Sequence, residues 1–350
     1  MERPVPARPR AWFRRSALLL VVPLTLLLGA CAENAPQDTL EPEGPIARKI
    51  DGLWNAGFVI AAVIFFLVEG LLVFAVLKFR RRPGREEHVP EQVHGNTRLE
   101  VGWTLVPAVL LAALAVPTVA TIMDLGDKPE GPEVLRIEVV AHQWWWEYNY
   151  GQFQGEDLGV VTANELHIPT GHDVVFDLKS VDVIHSFWVP KLAGKQDVVP
   201  GRTHQLAVHA DHPGVYEGQC VEFCGLSHAN MRLRLFADTP EDFDRWVADQ
   251  RKEFEPAADG TEAAAGQEIF SGTCGTCHTV NGLTEGKVGP DLTHLASRST
   301  FAGAIFDLTP GNLARWLRDP PGEKPGSKMP DLNLTEDQIR KLVAFLGTLE

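Results

Sequence analysis

Two long apolar runs constrain this chain more than any other feature. Trp54 to Leu77 contains one acid, Glu69, and Val101 to Met123 is interrupted only by Pro107 and Pro117. At about 1.5 Å per helical residue, roughly 20 residues cross a bilayer, so each run is long enough to span it. Between them lies Lys78-Phe79-Arg80-Arg81-Arg82-Pro83-Gly84-Arg85. Basic clusters of this kind stay cytoplasmic. The pattern therefore predicts a two-helix transmembrane hairpin over residues 51–124, with both ends and all that follows residue 124 outside the cytoplasm. Glu69 lies well inside the first run, where a charge is costly unless it faces protein or water; it suits a protonated or partnered acid and receives no role. Glu100 opens the second run, where a first-turn acid is favoured by the helix dipole.

The N-terminus agrees with export. Arg8, Arg10, Arg14 and Arg15 precede an apolar run from Ala17 to Leu28, a secretory signal occupying residues 1–30. Its ending, Leu28-Gly29-Ala30-Cys31, resembles a bacterial lipobox, in which the cysteine becomes the lipidated first residue; an ordinary signal with a coincidental cysteine is the alternative. Residues 31–50 read as a polar linker. The net charge of −14 argues against nucleic acid as a partner, because phosphate binding needs a basic face. Five cysteines are an odd number, which disfavours a simple disulfide framework.

After the hairpin the periodicity becomes that of strands. Val134 to Val140, Glu165 to Ile168, Asp173 to Leu178, Ser186 to Val189, Gln205 to Val208 and Met231 to Phe236 are β-like, separated by turns such as Pro169-Thr170-Gly171 and Pro213-Gly214. Short strands at close spacing predict an all-β sandwich or barrel over residues 130–254. Thr239-Pro240 opens a closing helix that should reach Phe254. Five aromatic residues fall within Trp144 to Tyr150, far above the chain's 8% background. Trp145 is expected to pack and Trp144 to be partly exposed. Residues 255–264 read as a linker. Residues 265–350 read as a small all-α domain, with helices from Gly266, from Thr309-Pro310, and from the capping box Thr335 to Gln338.

Two stretches carry chemistry. Cys274-Gly275-Thr276-Cys277-His278 is the attachment pattern of a c-type haem: two thiols for the vinyl groups and a histidine for the iron. Thioredoxin-like redox needs no such histidine and belongs to a βαβ setting absent here. Met329 is the one methionine in this domain and the expected second axial ligand; a Met/His pair raises haem potential. The other stretch is Cys220-Val221-Glu222-Phe223-Cys224 with His228 and Met231. Thiolates, imidazole and thioether select soft metals. Structural zinc rarely uses methionine. Blue copper needs only one thiol, whereas two thiolates four residues apart can bridge two copper ions. A second imidazole is required from elsewhere, and His185 is the strongest candidate.

The pattern C-x-E-x-C-G-x-x-H-x-x-M (Cys220 to Met231), the upstream D-V-x-H-S-x-W around His185, the H-Q-W-x-W-x-Y segment from His142 and K-x-D-x-x-P-G-R (Lys195 to Arg202) resemble subunit II of haem–copper cytochrome c oxidases. The haem motif makes the chain similar to those with a fused C-terminal cytochrome c. The resemblance implies a multidomain fold: hairpin, cupredoxin-like CuA domain and cytochrome c domain. It implies a binuclear CuA centre with Cys220 and Cys224 bridging, His185 and His228 each on one copper, and Met231 and the Glu222 carbonyl as weak ligands. The Glu222 side chain would reach a magnesium shared with subunit I. Trp144 matches the aromatic residue through which electrons reach CuA, and Glu100 the acid at the mouth of a proton channel. One covalent haem c, oxidase subunits I and III, membrane lipid, and a cytochrome c or bc-type donor are the implied cofactors and partners, in a bacterial inner membrane. The subunit would feed electrons to subunit I, where oxygen becomes water with proton translocation. Other readings are a stand-alone carrier with a CuA domain as in nitrous oxide reductase, a copper-delivery or assembly protein, and a quinol oxidase subunit, which lacks CuA.

Overall fold

The computed structural model describes residues 35–80 and 91–350. The export signal, Cys31, and Arg81, Arg82 and Arg85 of the basic connector lie outside the described residues. Helices α1 (Pro45–Phe79) and α2 (Thr97–Gly126) form the hairpin, and their apolar sides are uncovered by the rest of the chain. Lys49 near the start of α1 pairs with Asp124 near the end of α2 at 2.5 Å, which fixes the two as antiparallel. The segment expected to be linker through residue 50 is already helical from Pro45. Proline at the first helical position starts it, since its missing N–H would be unsatisfied there anyway. Its polar first turns hid it, because they dock on the β domain: Ala47 is buried, Ile46 packs on the β core, and Arg48 pairs with Asp211.

The β domain is a sandwich of two five-stranded sheets, β10-β7-β1-β2-β5 and β6-β12-β11-β8-β9, with a separate small ladder of β3 (Gln152–Phe153) and β4 (Glu156–Asp157). The first comprises β1 (Leu135–His142), β2 (Trp145–Tyr150), β5 (Val161–Ala163), β7 (Val174–Ser180) and β10 (His204–Val208). The second comprises β6 (Glu165–Pro169), β8 (His185–Trp188), β9 (Gln196–Val198), β11 (Gly214–Cys220) and β12 (Arg232–Asp238). Alternation places Trp146, Tyr148 and Tyr150 of β2 inward, where Trp146 meets Phe187 of the facing sheet edge to face at 5.1 Å. Helix α3 (Pro240–Gln250) caps the sandwich. It ends four residues before the expected Phe254.

The C-terminal domain is built from α4 (Glu262–Ile269), α5 (Pro310–Arg318) and α6 (Glu336–Leu346), with two minor two-residue ladders. Its own apolar core centres on Phe270, Leu313, Leu342 and Phe345. Helix α4 begins inside the stretch expected to be linker, because the Thr261 hydroxyl caps it by accepting from Ala264 N. The capping box at Thr335 and Gln338 is present as expected.

Candidate functional site

The soft ligands converge at one end of the sandwich. Cys220 is the last residue of β11, and His185 is the first of β8, the neighbouring strand. The chain loops out through Cys224, makes a 3₁₀ turn at His228–Asn230 and returns as β12. Cys220 Sγ lies 3.7 Å from Cys224 Sγ and 3.9 Å from His185 Nδ1, while Cys224 Sγ lies 3.5 Å from His228 Nδ1. The Glu222 carbonyl faces the same sulfur, 3.3 Å from Cys220 Sγ, and its side chain is exposed. His185, Cys220, Cys224 and Met231 are buried. The contact between the two thiols lowers the pKa of Cys220 and, with burial, raises that of Cys224, so the second proton is harder to remove than the first. A cation that displaces the second proton is the natural occupant.

Asp182, which sequence reasoning passed over, orients the imidazole. Its Oδ1 accepts from His185 Nε2 at 2.9 Å, leaving Nδ1 toward the sulfurs. Its position three residues before His185 was the available signal.

The haem motif follows α4 through a π-turn at Phe270–Cys274, closed by Gly275 N donating to Phe270 O. His278 Nδ1 donates to Pro290 O at 2.9 Å, which leaves Nε2 free to ligate. Burial lowers the His278 pKa, keeping the ring neutral. A side chain on Gly289 would come within 2.5 Å of His278 Cε1, so glycine lets the loop lie on the ring. One large cavity holds Cys274, Cys277, His278 and Met329 together. Arg298 lines it with a buried Nε that has no partner among the described residues. An apolar cavity with two thiols, a neutral imidazole, a thioether and an unsatisfied cationic donor fits an anionic macrocycle held by thioether bonds.

The same cavity is walled on one side by the β domain, through His142, Gln143, Trp144 and Trp145. Here one expectation is overturned. Trp144 is 7% exposed and buried, whereas Trp145 is the more open of the two. Trp144 belongs to the β1–β2 turn, outside the strand alternation, and its ring is flanked by Gly225 of the ligand loop and Gly326 of the C-terminal domain. Its Nε1 and the Gln143 side chain both donate to Cys224 O, at 3.0 and 2.7 Å. The indole thus touches the thiol loop and the haem cavity at once. Glu100 sits at the start of α2, where its carboxylate accepts from Asn96 N at 3.1 Å, a local capping bond remote from the thiol cluster in sequence.

Residues 37–121 match the signature of the cytochrome c oxidase subunit II transmembrane domain, 155–237 that of its periplasmic domain, and 263–350 that of cytochrome c. The chain is similar to cytochrome c oxidase subunit 2 of Alkalihalophilus pseudofirmus, 37% identical over 97% of this chain and 99% of the relative. The same subunit of Bacillus sp. strain PS3 is 35% identical over 93% of this chain and 95% of its own. Quinol oxidase subunit 2 of Bacillus cereus is 32% identical over 75% of this chain and 88% of its own.

Proposed function

We propose, because the chain belongs to the cytochrome c oxidase subunit II family and carries a cytochrome c domain at its C-terminus, that it is the electron-input subunit of a haem–copper terminal oxidase. The single observation that carries this reading is the placement of Trp144 against both the thiol cluster and the haem cavity. Cys220 and Cys224 would hold the copper of a CuA centre as its thiolate ligands, with His185 and His228 as its imidazole ligands and Met231 and the Glu222 carbonyl as weak ligands. The sulfur–sulfur separation and the inward Glu222 carbonyl support that set. Cys274 and Cys277 would attach one haem c, and His278 and Met329 would hold its iron. When bound, these groups supply one-electron transfer with little change in geometry.

The protein's own part is to orient and to exclude water. Asp182 and Pro290 fix the two imidazoles by their second nitrogens, and the rigid sheet ends hold the sulfurs. Trp144 is the bridge by which an electron leaves the haem domain for the copper domain. From there it passes to subunit I, where oxygen is reduced with proton translocation. The exposed Glu222 carboxylate suits a magnesium shared with that subunit. Glu100 is proposed to lie at the mouth of a proton channel, and Cys31 to carry lipid. The metal domains face outward from a bacterial inner membrane, and the donor is a cytochrome c or bc-type complex.

Metal analysis of the purified protein tests the core of this reading. Two coppers and one haem per chain are expected; one copper, or zinc, would refute the CuA assignment. The quinol oxidase likeness raises a second reading, in which no copper binds. Absence of red and near-infrared copper absorbance would favour it.

A further inference from the structure

The C-terminal domain is seated on the β domain by two buried charges of opposite sign, one from each side. Lys324, in the loop after α5, is only 4% exposed. Its ammonium donates to Trp144 O at 2.5 Å and to Ala302 O at 2.7 Å. From the other side Glu165, also 4% exposed, accepts from Ser299 N at 2.9 Å, from Ser299 Oγ at 2.7 Å and from Thr300 Oγ1. Further bonds cross the same boundary, among them Ser227 Oγ to Pro325 O at 2.6 Å and Arg232 N to Gly303 O at 3.0 Å, with Lys328–Asp182 and Arg234–Asp307 as charge pairs at its rim.

A lysine is almost never this buried without a reason. A domain that merely swings on a tether needs rim charges that water can screen. An ammonium held by two directional carbonyls, one from each domain, instead admits a single register. The acceptor chosen is the carbonyl of Trp144 itself. The ammonium therefore fixes the backbone of the residue whose ring separates the thiol loop from the haem cavity. Burial pulls the Lys324 pKa down to about 7, but a neutral amine still has two N–H groups for the two carbonyls, so the lock survives deprotonation.

We propose that Lys324 is a positioning residue for electron passage from the haem site to the copper site, locking the C-terminal domain in the register where its cavity opens onto Trp144. The proposal rests on the electron-input reading above. One consequence is that Trp144 is shut off from any outside donor, which must deliver its electron to the C-terminal domain.

The test uses the intact detergent-purified oxidase and Lys324→Met, which keeps the stem and removes the donors. The haem is reduced by a light pulse, and its reoxidation is followed together with the rise of the copper signal. Copper and haem contents and both spectra should match the parent. The haem-to-copper rate should fall by on the order of 10- to 100-fold, as expected when a reacting pair is displaced by about 1 Å. At pH 6 the haem midpoint should also drop, because a buried cation beside it is gone; a mere packing role would leave the midpoint in place. A parent-like rate in a variant with full copper and haem would overturn the proposal, whatever the midpoint. If Lys324→Met loses haem, Glu165→Gln decides: slowed transfer supports the two-charge lock, and a parent-like rate overturns it. Copper or haem missing from the parent protein would instead refute the functional reading.

Discussion

Replacing Gly326 by alanine probes the contact on which the relay depends. Gly326 has φ +80°, a left-handed conformation that costs an L-residue about 1–2 kcal/mol. A Cβ there would also lie 2.6 Å from Trp144 Cη2 and 2.9 Å from Cζ3. The indole is held in place, because Gly225 also lies against it and its Nε1 is tied to Cys224 O. Overpacking of this kind costs about 1–3 kcal/mol. Together the two effects should weaken docking of the C-terminal domain by about 2–5 kcal/mol. Hydrogen exchange of the Arg232 amide, which bonds Gly303 O across the boundary, reads the population of the open form when reclosing is fast. At about 1.4 kcal/mol per factor of ten, Gly326→Ala should speed that exchange by roughly 30- to 3,000-fold. Trp144→Phe removes the atoms that clash but leaves the backbone strain. In that background Gly326→Ala should cost only about 1–2 kcal/mol, a coupling of about 1–3 kcal/mol in the double-mutant cycle. Equal losses in both backgrounds would show that Gly326 does not lie on Trp144 and would refute the reasoning.

Three further outcomes are expected. Gly289→Ala drives a methyl into the His278 ring and should disturb its bond to Pro290 O, lowering the haem midpoint and shifting the visible band, whereas an unchanged spectrum would contradict the close approach. Asp182→Asn leaves His185 Nε2 without its anionic partner and should weaken copper retention by about 10- to 100-fold in competition with a chelator. Docking should also depend on pH through Lys324. Its pKa is about 7 when docked and near 10.5 when free, so below pH 7 both states are protonated and the full cost of burying the charge is present. As pH rises from about 7 to about 10.5 the docked form sheds its proton first and docking tightens, by up to about 5 kcal/mol over the window; protection of the Arg232 amide, relative to the free-peptide exchange rate at each pH, should rise accordingly, and a fall across that range would count against the buried amine.

What could be read from the sequence, and what could not, follows from the reach of each interaction. Cys220, Cys224, His228 and Met231 were legible because a single loop carries them, and His185 because a second imidazole was chemically required. The haem motif is likewise local. Strand β11, which holds Cys220, left no trace: its inward positions are Tyr216, Gly218 and Cys220, so the alternation lacks the run of large apolar residues that signals a strand. The start of α1 was hidden because its first turns are polar and find their partners far along the chain, Arg48 on Asp211 among them. Nothing local marks Lys324 or Glu165 as buried, for the same reason. Each bonds across the domain boundary, and no local pattern encodes a neighbour more than a hundred residues away. Trp144 is the sharpest instance. Sequence reading has it partly exposed, and the family resemblance makes it the entry of electrons to CuA. The covering loop of the C-terminal domain encloses it instead, so under the proposed relay the C-terminal domain closes that entry to outside donors. An outside donor that reduced the copper centre as fast in a haem-free Cys274→Ser, Cys277→Ser variant as in the parent would contradict that closure.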